Sequence, residues 1–332
     1  MWKLLVSMGV YLGSLGCGTA LSSPLADSSF VECNGAKFHL RTHPEQQPGL
    51  PTVILLSGPT DTWASDSAWF SALQGHLPMR NIAIDRRNQG LSAIGGDGSY
   101  QAFAQDLGCL LPKISKEPVI VLAFASSNLT LLHYFKSFGD AHISAALLID
   151  PDGLTDRNVT FYAEQALPFQ NEKLRDYVMS GKYDERAQAK VAADLAHIKA
   201  IIERQTLAID WYYFEEILKT RVDRERIVAQ MADISRYDQD IVQAHKIPWP
   251  ATTRVWAIDT QFEKLTIDGS KEEEKKKFIL WEADNQQWMR QLPNVCYLPQ
   301  ASTEHILMME QPQYVATQLM LLIKNANCPV SP

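Results

Sequence analysis

The chain lacks the Lys/Arg clusters that grip a nucleic-acid backbone. Its one basic run, Lys275-Lys276-Lys277, follows Glu272-Glu273-Glu274, and i,i+4 spacing pairs these opposite charges on a solvated helical face. With 38 acidic against 31 basic residues the net charge is -7, so no nucleic-acid partner is expected. No apolar run reaches the roughly 20 residues of a spanning helix. There is no Cys-x-x-Cys and no His/Cys spacing that suggests zinc, so no metal site is expected. Repeats and low-complexity segments are also missing. What is there is ordinary for a globular chain: 46% hydrophobic and 21% charged residues, which excludes a disordered or collagen-like chain. A length of 332 residues suits two domains, or one large α/β domain with an insertion.

The N-terminus reads as an address. Met1-Trp2-Lys3 precedes an apolar run from Leu4 to about Leu15, the shape of a secretory signal. Ser14-Leu15-Gly16-Cys17 resembles a bacterial lipobox, with a small residue before a Cys that would be acylated. The expectation for residues 1–26 is therefore a signal peptide or lipoprotein signal. The protein would be exported, either periplasmic or tethered to a membrane through Cys17, with plain secretion the alternative. Export makes disulfides permissible. Of the other four cysteines, Cys33 and Cys328 lie near the two ends and suggest one bridge. Cys109 and Cys296 sit in apolar stretches and read as buried thiols.

From residue 30 to 151, short apolar runs alternate with helix-like segments. Phe30–His39 reads as a hairpin broken at Asn34-Gly35. TVILL (52–56), NIAID (81–85), PVIVLAF (118–124) and AALLI (145–149) read as buried strands, with helices between them. Continuous apolar strands alternating with helices predict a mainly parallel sheet covered on both faces. From 152 to 247 no strand is expected: the stretch is polar and helix-favouring, and reads as a helical cap inserted after the fourth parallel strand. Residues 248–326 restore the α/β rhythm, with TTRVWAI (252–258) as the next strand.

In such a sheet the active site lies at the carboxyl ends of the strands. Ser57-Gly58 follows the first buried strand, with Trp69 further on. Asp85-Arg86-Arg87-Asn88-Gln89-Gly90-Leu91-Ser92 follows the second. Ala125-Ser126-Ser127 follows the third, Asp259 the strand after the insertion, and His305, leading into Glu310-Gln311-Pro312, the last. In that order these segments resemble the α/β-hydrolase superfamily, in its branch with a helical cap. The likeness runs from about residue 30 to 325, loosely over the cap. It implies an α/β-hydrolase fold with a core at 30–151 and 248–326 and a cap at 152–247. It also implies hydrolysis of an ester, amide or related bond by Ser-His-Asp chemistry, with no cofactor. Asp259 would be the orienting acid and His305 the general base. Ser57, Gly58 and the N–H of Ser126 would hold an oxyanion. The partner would be a small molecule, an apolar acyl-type substrate or ligand.

The sequence departs from the family at the nucleophile, where Gly-x-Ser-x-Gly is usual. One register puts Ala125 at the nucleophile position, flanked two residues away by small Ala123 and Ser127. The rival register makes Ser126 the nucleophile but puts bulky Phe124 where the turn needs a small residue. The helix pattern of Leu129, Leu132 and Tyr134 favours the first. With Ala125 there, Asp259 and His305 form an acid–base pair without a nucleophile. The readings left open are a natural loss that leaves a noncatalytic binding protein, a deliberate Ser-to-Ala exchange in a hydrolase, and Ser126 acting after a local bulge. His305 activating water directly is a fourth. Asp150 and Asp152, after the fourth strand, are the rival acids.

Overall fold

Asn34 and Gly35 both have positive φ, 48° and 72°, the two-residue turn that suits the right-handed twist of paired strands. They join β1 (Ser28–Cys33) to β2 (Ala36–His43) in an antiparallel hairpin. The structure is a computed structural model. It describes residues 27–45, 47–58, 70–262, 272–301 and 304–328, with only the backbone of 212, 213, 215 and 216. The expected signal at 1–26, Cys17 and Trp69 lie outside the described residues.

The hairpin extends a sheet of eight strands in the order β1-β2-β4-β3-β5-β6-β7-β8. β2 pairs antiparallel with β4 (Asn81–Ile84). The remaining neighbours are parallel: β3 (Val53–Leu56), β5 (Val119–Phe124), β6 (Ile143–Ile149), β7 (Arg254–Asp259) and β8 (Val295–Pro299). Every residue of β3 and β5 is buried, and the strand period of two divides them between two cores. Ile54, Leu56, Val121 and Ala123 join α1 (Tyr100–Ile114) and α2 (Ser127–Phe138) on one face. Val53, Leu55, Ile120 and Leu122 join Phe70 and Leu73 on the other, where the closing helix of the chain also packs. This is the mainly parallel, helix-flanked sheet of the α/β-hydrolase fold.

Between β6 and β7 the described residues are helical. They form α3 (Asp156–Ala166), α4 (Leu174–Met179), α5 (Asp184–Gln205), α6 (Trp211–Thr220), α7 (Arg224–Ile234) and α8 (Tyr237–Ala244). Thr155 starts α3 by accepting the Asn158 N–H, and Asp223 starts α7 by accepting that of Arg226, as short polar caps do. After β7 come α9 (Glu272–Gln291), α10 (Leu307–Glu310) and the closing helix α11 (Pro312–Ile323).

The cysteine expectation is corrected. Cys33 is bridged to Cys109, not to Cys328, and Cys296 is bridged to Cys328, with Cα separations of 5.8 and 5.3 Å. The hairpin carries Cys33 against α1, and the end of the chain folds back along β8, proximities that sequence position alone does not reveal. The first bridge closes 76 residues and limits the unfolded chain more than the second, which closes 32. Replacing both Cys33 and Cys109 by Ser is expected to remove about 4 kcal/mol. Urea unfolding checks this; an unchanged midpoint would show that the bridge contributes nothing.

Candidate active site

β5 ends at Phe124 and α2 begins at Ser127, so the chain turns within Ala125 and Ser126. Ala125 takes the left-handed conformation, φ 48°, whereas Ser126 has φ -58°. A residue with a Cβ holds φ > 0 at a cost of about 1–3 kcal/mol, and only where its surroundings over-determine it. Here the Ala125 N–H donates to the Ile149 carbonyl oxygen at 2.9 Å, and Gly58 closes in from the end of β3. A Cβ on residue 58 would stand 3.0 Å from that of Ala125, so this close passage requires glycine. Ser57 precedes it, half-buried.

The two residues of the turn point their side chains to different partners. Ala125 shares a cavity of about 280 Å³ with His305, Asp150 and Asp259. Ser126 lines the same cavity, but its Oγ lies 3.3 Å from the Tyr237 hydroxyl and does not cap α2. The Tyr237 hydroxyl in turn donates to the Asp152 carboxylate. Burial pushes the Asp152 carboxyl above its ordinary value, and burial together with that carboxylate pushes Tyr237 well above its own.

His305 follows the loop after β8. Its Nδ1 is 3.0 Å from Asp150 Oδ2, and its ring is held between Phe124 and Phe262, with centroids at 4.6 and 4.3 Å. In a neutral imidazole, an Nδ1–H donated to a carboxylate leaves the lone pair on Nε2. Asp150 is itself fixed from three sides. Its backbone is left-handed, φ 45°, and its N–H donates to the Ile258 carbonyl oxygen at 2.9 Å. The Thr260 N–H and hydroxyl donate to its two carboxylate oxygens at 2.7 and 2.5 Å.

The carboxylate against the His305 imidazole is thus that of Asp150, the rival acid of the sequence, and not that of Asp259. Asp259 lines the cavity but accepts from the Tyr297 hydroxyl and the Gln261 backbone N–H, and burial raises its carboxyl above the ordinary range. The physical reason is strand register. β7 runs on through Asp259, paired beside Pro299 of β8, whereas β6 stops at Ile149 and the turn at Asp150 swings its side chain toward His305.

The segment after β4 builds the floor rather than the chemistry. Asp85 accepts from the Leu91 N–H and sits 2.9 Å from His39 Nδ1. Arg87 grips Asp106 through two hydrogen bonds, at 2.7 and 2.8 Å. Asn88, where the resembling family has glycine, keeps φ 65°, a conformation Asn tolerates better than most residues. Its amide donates to Asp233 at 3.0 and 3.1 Å.

Two carboxyls packed near this floor have shifted strongly. Burial pushes Asp233 and Asp240 up to about 6 each. A carboxyl raised above its unfolded value of 3.8 binds more protons in the folded state, so its stabilisation is complete below that value. It is lost as pH rises through about 6. Each group can shift stability by about 2–3 kcal/mol. Unfolding free energy is thus expected to fall between pH 4 and 7, and Asp233→Asn to flatten that fall. Parallel curves for the two proteins would refute the assignment.

Among the described residues no group of three or more His, Cys, Asp or Glu side chains is arranged to hold a metal ion, and no helix is long and apolar enough to cross a membrane.

No family model matches the chain. Among curated proteins, 83 residues are 28% identical to the sn-1-specific diacylglycerol lipase ABHD11 of Mus musculus, a match over 25% of this chain and 27% of that protein. The chain thus spans about a quarter of that relative. Solved structures agree over far more of the molecule. Cfl2 from Burkholderia cenocepacia superposes with a TM-score of 0.60 at 16% identity, covering 89% of this chain and 95% of that one. The haloalkane dehalogenase DatA from Agrobacterium tumefaciens C58 gives 0.57 at 13% identity, over 90% and 96%. The epoxide hydrolase VrEH1 from Vigna radiata gives 0.57 at 15%, over 90% and 97%. The chain is built on the α/β-hydrolase fold, which it shares with these solved structures.

Proposed function

We propose that the chain binds a small, largely apolar acyl-type molecule in the cavity beside Ala125. In this reading it keeps the acid–base pair of a Ser-His-Asp hydrolase and lacks the nucleophile. What carries the reading is the methyl group of Ala125 at the strained strand-to-helix turn, lining one cavity with the His305–Asp150 pair. Ser-His-Asp chemistry needs a hydroxyl at such a turn, whose proton the imidazole takes while the carboxylate steadies the imidazolium. A methyl group has neither proton nor lone pair to give, so the covalent acyl step is closed. Ser57-Gly58 and the Ser126 N–H would serve as the oxyanion-binding backbone. Tyr162, Phe169, Phe262, Trp281 and Met289 give the cavity an apolar wall beside its polar and charged groups, which supports a ligand with a large apolar part. The haloalkane dehalogenase and epoxide hydrolase on the same fold are named for small-molecule substrates, which favours the same class of partner here.

A second reading keeps catalysis. His305, held by Asp150, has the arrangement of a general base and could take a proton from water beside a bound ester. One experiment separates the two. The chain is titrated calorimetrically with methyl 4-phenylbutyrate, followed for methanol release, and treated with a fluorophosphonate probe. Saturable binding without label or turnover is the expected result. Turnover that needs His305 but leaves no label would favour the water route. Labelling would mean that Ser126 is a working nucleophile, and absence of binding would sink the ligand reading.

Export is part of the same proposal. Two disulfides suit an oxidising compartment and, with the N-terminal signal read from the sequence, support an exported protein, either periplasmic or tethered to a membrane through lipidated Cys17, with secretion the alternative. Cys17→Ala is expected to move it from the membrane fraction to the soluble one; unchanged partitioning would count against the tether.

A further inference from the structure

The charged side chains that line the cavity are nearly all committed to partners. Asp150 holds His305, Asp152 accepts from Tyr237, Asp233 accepts from Asn88 and Gly98, Asp259 accepts from Tyr297, and Glu282 accepts from Gln286. Arg86 is different. It lines the cavity and is only 3% exposed, yet its guanidinium makes no hydrogen bond or ion pair with any described residue. Its Nε is buried without an acceptor. Its contact is the face of the Tyr100 ring, 4.3 Å from the guanidinium carbon. A ring face attracts the cation but accepts none of its five N–H donors in the plane.

Two carboxylates that feel its charge do not pair with it. Arg86 lowers the pKa of Asp233 and Asp240 through space, but neither carboxylate bonds to it. Asp240 accepts the Tyr100 and Gln101 N–H groups at the start of α1, at 2.8 and 3.3 Å, while Asp233 is taken by Asn88 and Gly98. Leaving a buried guanidinium without acceptors is expensive. A planar fork of donors matches a carboxylate or a phosphate, and of the two a carboxylate suits the acyl-type ligand of the proposed function.

We infer that Arg86 is a ligand-binding residue, and that the small molecule of the proposed function carries a free carboxylate which pairs with the Arg86 guanidinium inside the cavity. The inference rests on that functional reading and narrows it to amphipathic carboxylates, such as half-esters or aryl-alkyl acids. Arg86 follows Asp85 just past the end of β4, and its charge is felt by Asp233 on α7 and Asp240 on α8.

The test compares 4-phenylbutyrate with 4-phenylbutyramide, two ligands of one shape that differ in charge, by calorimetric titration of the full chain. The acid is expected to bind about tenfold tighter than the amide. Arg86→Met is expected to weaken the acid by about tenfold more than the amide and so erase that preference, and Arg86→Lys to restore part of it. Equal affinities, or an amide preference, in the unaltered protein would overturn the inference and leave the apolar pocket standing. If neither compound nor methyl 4-phenylbutyrate binds, the functional reading fails with it. A preference for the acid that survives in folded Arg86→Met would overturn the assignment to Arg86. Circular dichroism verifies the fold of each variant, and the comparison in the unaltered chain decides even if Arg86→Met does not fold.

Discussion

Ala125→Ser is expected to make the chain react with a fluorophosphonate and hydrolyse short p-nitrophenyl esters at least about 10²-fold faster than the unaltered protein, the scale set by positioned acid–base and nucleophilic groups. The expectation follows from how little else would have to change. The backbone at 125 already holds φ 48°, the strained conformation a nucleophile needs to stand clear of the sheet. Gly58 leaves room beside it, and serine adds one oxygen to a side chain that already lines the cavity with His305. His305 comes with the Asp150 carboxylate on its Nδ1 and its ring packed against Phe124 and Phe262, so the imidazole is oriented before a hydroxyl is added. Ala125→Ser with His305→Ala should lose both label and turnover. Label on the unaltered chain that vanishes in Ser126→Ala would instead name Ser126 as nucleophile. Silence in Ala125→Ser, with the fold intact, would mean that the backbone around the turn does not support an oxyanion, and would leave ligand binding as the whole function.

Much of this architecture was legible before any coordinates, for identifiable reasons. Asn34-Gly35 is a local signal: two residues that tolerate φ > 0 between apolar runs encode their own turn. β3 and β5 are continuous apolar runs because both faces are covered, and such runs leave few alternatives. The histidine after the last strand was singled out by its place in order, and it lines the cavity. What the sequence left undecided depends on a few ångströms of tertiary geometry. Asp150 and Asp259 give the same signal, an acid directly after a buried strand. They are told apart only by β6 ending one residue before its acid and β7 running through its own. The cysteines failed in the same way, since the hairpin carries Cys33 onto Cys109 and no spacing announces it. Arg86 gave no signal at all. In sequence it is one of two adjacent arginines, and only burial shows that Arg87 is paired with Asp106 while Arg86 faces a cavity.

In the Ala125→Ser background, Asp150→Asn is expected to lower kcat/KM about 10³–10⁴-fold, and Asp259→Asn less than about tenfold. Asp150 takes the Nδ1–H of His305 and so keeps the basic nitrogen free; an amide at 150 can donate to Nδ1 instead and so fix the unproductive tautomer. The exchange should leave the fold intact, because asparagine tolerates the left-handed backbone at 150 and its carbonyl oxygen can still accept from the Thr260 N–H. Asp259 touches Tyr297 and Gln261 and not the imidazole, so its loss perturbs β7 and β8 without disarming His305. A structural defect would lower stability and activity together. Loss of orientation lowers kcat with the melting temperature unchanged. A larger loss for Asp259→Asn than for Asp150→Asn would overturn the pairing seen here and return the acid to the end of β7.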